Sequence, residues 1–175
     1  MDGMKAQKIL GIVGWKNSGK TTLVEALVRE MTARGLRIST VKHAHHAFDI
    51  DAPGKDSHRH REAGAHEVIV ASGERWALMH ELRGAPESPL EELIAKLAPC
   101  DLVLVEGFKR GGHPKIEVAR FTREEGLIAD QDDAVIAVAT DNPVLAGRYP
   151  SLPLNDAAAI FDFIRRYFNL AAGMH

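Results

Sequence analysis

Apolar residues in this chain fall into short runs separated by glycine-rich or polar stretches. Ile9-Leu10-Gly11-Ile12-Val13 is nearly continuous in apolar character and ends at Gly14, which predicts a buried central strand. From Lys20 to about Arg34 the pattern changes period: Leu23, Leu27 and Met31 recur every four residues, Val24 and Val28 widen the stripe, and Gly35 supplies a terminator. This is an amphipathic helix. Leu36 to Val41 alternates again and is rich in β-branched residues, so strand, helix and strand form a βαβ unit with parallel pairing.

Further along, a helix is expected over Asp56 to Ala65, with strands at Glu67 to Ala71 and Trp76 to Leu82. Pro89 to Leu97 reads as a helix capped by Ser88, and Leu102-Val103-Leu104-Val105 as a fully apolar strand. Strands at Lys115 to Arg120 and Ala134 to Ala139 precede a closing helix, Asp156 to Phe168, with Ile160, Phe163, Ile164 and Tyr167 turned inward. The expectation is an α/β fold of the P-loop NTPase type. One doubly wound, mostly parallel sheet with helices on both faces would account for residues 1–175 as a single domain.

Between the first strand and the first helix stands Gly14-Trp15-Lys16-Asn17-Ser18-Gly19-Lys20-Thr21, followed by Thr22, a full match to G-x-x-x-x-G-K-[ST] in the strand-to-helix context the motif requires. Glycines let successive backbone N–H groups turn inward around phosphate oxygens, and the positive end of the following helix adds to the field. Lys20 reaches the β- and γ-phosphates and Thr21 offers a hydroxyl to magnesium.

A phosphate loop of this kind needs an acidic residue at the tip of a neighbouring strand for the metal shell. Asp101 and Glu106 bracket the strand at Leu102 to Val105, and Glu106 is at its carboxyl end, where such sites form. Glu106 is therefore the expected second metal residue beside Thr21, and Gly107 next to it suggests a close backbone approach.

The connection Lys42 to Ser57 leaves the same edge and is expected over the phosphates. Its carboxylates Asp49, Asp51 and Asp56 are available to position water or magnesium, while Lys42, His43 and Lys55 can meet phosphate charge. Lys20, Asp49 and Asp56 are the candidate catalytic residues. His43, His45 and His46 raise the alternative of a zinc site, but no cysteine lies near, so a polar loop over the nucleotide is the preferred reading. Asp141 follows the strand Ala134 to Ala139, where a carboxylate can accept from both N1 and N2 of guanine; Asp141-Asn142-Pro143 is equally a turn sequence.

Composition narrows the function further. With 22 basic against 24 acidic side chains the chain has no global positive field, which argues against a nucleic-acid partner. No apolar run approaches the ~20 residues of a membrane span, the first residues lack a signal-peptide core, and the single Cys100 fits a reducing compartment; a cytoplasmic protein is expected.

Taken together, residues 14–23 (GWKNSGKTTL), 40–43 (TVKH), 51–57 (DAPGKDS), 61–65 (REAGA) and 104–109 (LVEGFK) resemble the MobB family of molybdopterin-guanine dinucleotide biosynthesis proteins over nearly the whole chain. The resemblance implies a homodimer that binds GTP with magnesium, hydrolyses it weakly, and assists a MobA-type guanylyltransferase that joins GMP to molybdopterin. It places Gly14 to Thr22 on the phosphates, Thr21 and Glu106 around magnesium, Asp49 to Ser57 in a nucleotide-responsive loop, and Lys109 near the site. Lys16 stands one position later than the loop lysine that related dimeric P-loop proteins extend to the partner's nucleotide. Molybdopterin is a further candidate ligand on the resemblance alone. The competing class is a P-loop kinase or ligase that uses ATP on a small metabolite, but Arg59, Arg61, Arg75 and Arg83 are too scattered for an arginine-rich lid.

Overall fold

The computed structural model describes residues 7–44, 48, 50–120 and 126–171, and these fall into two compact units, one made of the described residues up to 43 and from 90 onward, the other of those between 44 and 89. In the larger unit the strands are β1 (Ile9–Val13), β2 (Ile38–Lys42), β5 (Leu102–Glu106), β6 (Lys115–Val118), β7 (Val135–Thr140) and β8 (Ser151–Pro153). They make one sheet in the order β2-β5-β1-β6-β7-β8, and every neighbouring pair is parallel.

Alternation along the strands builds a core on each face. Leu10, Ile12, Leu102, Leu104, Ile116, Val118, Ala137 and Ala139 pack with α1 (Lys20–Ala33) and α4 (Ala157–Phe168). On the opposite face Val103 and Val105 meet Leu90 and Ile94 of α3 (Leu90–Ala95). Helix α1 buries Leu23, Leu27 and Met31, the stripe read from the sequence, and ends where the Leu36 N–H bonds back to the Met31 carbonyl across Gly35 (φ +79°).

Several sequence expectations need correction. Strands β1 and β2 do not pair; β5 lies between them, with Leu10 opposite Leu104 and Thr40 opposite Leu104 on its other side. The reason is visible in composition. Strand β5 has four consecutive apolar residues and takes a position covered on both faces, whereas β2, with exposed Thr40 and Lys42, suits an edge. In α4 the buried residues are Ile160, Phe161 and Ile164, and Phe163 packs half-buried against the same core. Tyr167, seven residues on from Ile160 and so nearly in line with it, is nevertheless 49% exposed and packs edge-on against Phe168 in the last turn of the helix.

The smaller unit holds α2 (Asp56–Glu62), β3 (Glu67–Ala71) and β4 (Trp76–His80). Strands β3 and β4 form a separate antiparallel hairpin closed between Ser72 and Arg75, so a single sheet does not account for the whole chain. A short turn suffices for such a pair, and no crossover draws it into the parallel sheet. Arg61 organises this unit: Nη1 donates to Glu81 Oε1 at 3.0 Å, Nε lies 3.9 Å from Asp51 Oδ2, and the Arg61 carbonyl accepts from Arg83. No helix among the described residues is long and apolar enough to cross a membrane.

Leu27 is fully buried beneath the sheet face that carries β1. Leu27→Ala is expected to lower unfolding free energy by about 2–5 kcal/mol in denaturant titration; a loss below ~1 kcal/mol would show that this core collapses around the gap.

Candidate functional site

Strand β1 delivers the chain to Gly14 at the carboxyl edge of the sheet, and from there the backbone has to fold back tightly before α1 begins. Gly14 (φ +153°) has no room for a side chain: a Cβ there would lie 2.6 Å from Ser18 Oγ and 2.7 Å from the Val118 carbonyl. Asn17 and Gly19 also take positive φ, at +64° and +99°, and the Ser18 N–H bonds the Trp15 carbonyl at 3.2 Å. Gly19 is the N-cap of α1 and no side chain caps the helix, so its first N–H groups are left for another acceptor.

Lys20 folds back over the loop, donating to the carbonyls of Gly14 at 3.0 Å and Trp15 at 2.8 Å. Thr21 Oγ1 donates to Glu106 Oε1 at 2.8 Å. Glu106 is held there by register: it is the last residue of β5, opposite Ile12 on one side and Lys42 on the other, with the Lys42 ammonium 3.7 Å from Oε1. Asp101, at the other end of β5, bonds the Arg37 backbone N–H at 2.7 Å on the opposite sheet edge. A hydroxyl and a carboxylate meeting at the first turn of an uncapped helix are hard oxygen ligands of the kind magnesium takes.

Behind Glu106, Gly107 (φ +95°) passes so close to His43 that a Cβ would lie 2.8 Å from its Cβ. The His43 ring rests 4.8 Å from that of Phe108, and the His43 N–H bonds the Glu106 carbonyl. Lys109 then places its ammonium 4.4 Å above the Trp15 ring, whose Nε1 donates to the Gly126 carbonyl at 3.0 Å. Gly14 to Thr22, His43, Glu106 and Lys109 are thus gathered at one edge, with Lys16, Asn17, Thr21 and Thr22 exposed.

A model of molybdopterin guanine dinucleotide synthesis protein B (MobB) matches residues 9–141. Similar proteins include the molybdopterin-guanine dinucleotide biosynthesis adapter protein of Haemophilus influenzae, 42% identical over 92% of this chain and 89% of its own length. The protein of that name from Escherichia coli is 41% identical over 94% and 95%. The chain belongs to the MobB family. Among solved structures, a MobB homolog from Bacillus stearothermophilus superposes with a TM-score of 0.68 at 29% identity, covering 92% of this chain and 97% of that one. Bacillus subtilis MobB gives 0.70 at 25% identity, covering 91% and 97%.

The remaining site residues of this MobB-family chain divide by unit. Asp51, Lys55 and Asp56 belong to the smaller one, where Asp51 faces Arg61, Lys55 is the N-cap of α2 and Asp56 opens that helix. Asp49, His45 and His46 lie outside the described residues. Asp141 is exposed at the tip of β7, and beside it Asn142 Oδ1 caps the short turn Pro143–Ala146 by accepting from the Val144 N–H at 3.2 Å.

Sequence reasoning missed a polar layer under the loop. Gly11 in β1 admits it, since a Cβ there would lie 2.7 Å from His113 Nε2 and 2.9 Å from Lys115 Cγ. Lys115 is fully buried, pairs with Asp132 at 2.9 Å, and donates to the Gly111 carbonyl. Glu117, also fully buried, accepts from the N–H groups of Ile128 and Ala129 at 2.9 Å each, fixing the turn that follows Gly126. Burial pushes the Glu117 carboxyl up, against those two hydrogen bonds, and pushes the His113 imidazole down, helped by nearby Lys115. Lys115 and Glu117 alternate with Ile116 and Val118, a period that marks a strand but does not show that its charged residues are buried. The layer backs a cavity of about 430 Å³ lined by Trp15, Lys109, Arg110, Ile128, Gln131 and Asp132.

Burial raises the Asp132 carboxyl, but the Lys115 hydrogen bond and charge with the Ala134 N–H outweigh it and hold it below the usual value. A lowered folded pKa contributes stability above the unfolded value, ~3.9, and that contribution is lost as pH falls through the folded value. Asp132→Asn is expected to cost about 3 kcal/mol at pH 7, since it strands the buried Lys115 ammonium. It is also expected to flatten the acid limb of a stability profile measured by urea unfolding between pH 7 and pH 2. An unchanged acid limb would assign that limb to other carboxylates.

Proposed function

We propose that this chain is a GTP-binding adapter in the formation of molybdopterin guanine dinucleotide, acting as a homodimer beside a MobA-type guanylyltransferase. Support for the pathway comes from the relatives, whose names describe adapters of that biosynthesis. Support for the nucleotide comes from one observation above all: Thr21 and Glu106 meet at 2.8 Å at the open N-terminus of α1, with Lys20 folded onto the loop carbonyls. In this reading triphosphate oxygens take the free N–H groups, and Lys20 leaves the Gly14 and Trp15 carbonyls for the β- and γ-phosphates. Magnesium would be held by the Thr21 hydroxyl and, directly or through water, by Glu106; bound there it neutralises phosphate charge.

Asp141 is the residue proposed to read guanine, because a carboxylate accepts from N1 and N2 together and adenine lacks that pair of donors. Hydrolysis is slow in this reading. Lys20 is engaged by phosphate and Glu106 by the metal, so neither is left to orient an attacking water. Asp49 and Asp56 are the carboxylates proposed for that task.

Calorimetric titration with non-hydrolysable GTP and ATP analogues in magnesium buffer tests this directly. The expected result is a preference for GTP that falls by about tenfold or more in Asp141→Ala, with no detectable binding in Lys20→Ala. Glu106→Ala is expected to retain binding in EDTA and to lose the strengthening by magnesium. ATP binding equal to or tighter than GTP binding would favour the kinase or ligase class instead, and equal loss in the Lys20 and Glu106 variants would refute the division of roles.

A further inference from the structure

Sheet order puts β5 on one side of the P-loop strand and β6 on the other. Glu106 ends β5. Past the end of β6, after Ala119 has bonded the Ala139 carbonyl at 3.0 Å, comes Arg120. Its guanidinium lies along Gly19: a Cβ built on that glycine would be 3.1 Å from Nε, 3.6 Å from Nη2 and 3.7 Å from Cζ. Among the described residues Arg120 Nε is buried without a hydrogen-bond partner. A second buried polar group of the loop is in the same state, for Ser18 is 4% exposed and its Oγ has no partner among the described residues. Buried donors left unpaired cost stability, and a guanidinium against a phosphate loop without a carboxylate partner among the described residues is matched to an anion.

We propose that Arg120 binds the nucleotide directly, donating to the α-phosphate and its ribose end. This rests on the nucleotide reading above and adds a residue to it. The argument for the α-phosphate is positional. Thr21 and Glu106 meet on the β5 side of the loop, and in that reading they would hold the metal there and with it the β- and γ-phosphates. Asp141 stands at the tip of β7, two strands from β1 on the other side. A nucleotide stretched from one to the other passes the end of β6 with its α-phosphate and ribose. Lys20 and magnesium serve the terminal phosphates, so the remaining charge at the α-position falls to Arg120. A guanidinium can donate two parallel hydrogen bonds there, which an ammonium cannot.

Binding of a GTP analogue and of GDP, each with magnesium and with EDTA, is to be measured for the wild type, Arg120→Gln, Arg120→Lys and Lys20→Ala. Arg120→Gln is expected to weaken both nucleotides by the same factor, about tenfold or more, with and without the metal. Arg120→Lys is expected to recover part of the loss, with thermal unfolding unchanged. Wild-type affinity in Arg120→Gln beside lost binding in Lys20→Ala would overturn the assignment while sparing the parent reading, and so would a loss confined to the triphosphate. Absence of nucleotide binding in the wild type would overturn both. If Arg120→Gln does not fold, phenylglyoxal labelling of the wild type decides: GDP is expected to protect Arg120, and equal labelling with and without GDP would refute the contact.

Discussion

Helix α1 starts without a side-chain cap, at a left-handed Gly19, immediately after a loop whose first glycine is pressed against Ser18 Oγ and the Val118 carbonyl. This combination leaves backbone N–H groups open where the chain is packed too tightly to accept a bulkier residue. The rest of the unit serves to hold that opening in place. Leu23, Leu27 and Met31 fasten α1 to one face of the sheet, so the helix end cannot drift from the strand that feeds it. The other face carries Lys115, Glu117 and His113 under Gly11, and from Glu117 hydrogen bonds run to the turn beside which Trp15 is tied down.

Insertion of β5 between β1 and β2 has a functional consequence. It brings Glu106 beside the loop and Lys42 beside Glu106, so that a hydroxyl, a carboxylate and an ammonium share one edge although their residues are far apart in sequence. With β6 on the other flank, charged groups border the loop from both sides: Glu106 and Lys42 from one, Arg120 from the other. The order of strands therefore does as much as the motif itself to define the site.

Local signals carried most of what could be read in advance. The tight glycine loop before α1, the α1 stripe, the place of Glu106 at the end of an all-apolar strand and the class of fold were legible because each depends on neighbours in sequence or on the two-residue and four-residue periods. The pairing order was not, since which strand lies beside β1 is decided by packing on both faces rather than by chain proximity. The same holds for the hairpin of β3 and β4, whose strands looked like any others until their antiparallel pairing was seen. Buried charge was least legible of all. Lys115 and Glu117 give a strand pattern that places them on the solvent side, and only the absence of a side chain at Gly11, with Asp132 arriving from a distant turn, makes room for them inside. Arg120 carried no motif; its meaning comes from the glycine it touches.

The central claim is that the open end of α1, with Thr21 and Glu106, is a magnesium–triphosphate site. A crystal structure of the protein with a non-hydrolysable GTP analogue and manganese, recorded at a wavelength where manganese scatters anomalously, tests it most directly. The account predicts an anomalous peak within ligand distance of Thr21 Oγ1 and beside Glu106, with the Lys20 ammonium moved from the Gly14 and Trp15 carbonyls to the phosphates. A bound nucleotide with Lys20 still on those carbonyls, or a metal peak away from Thr21, would contradict it.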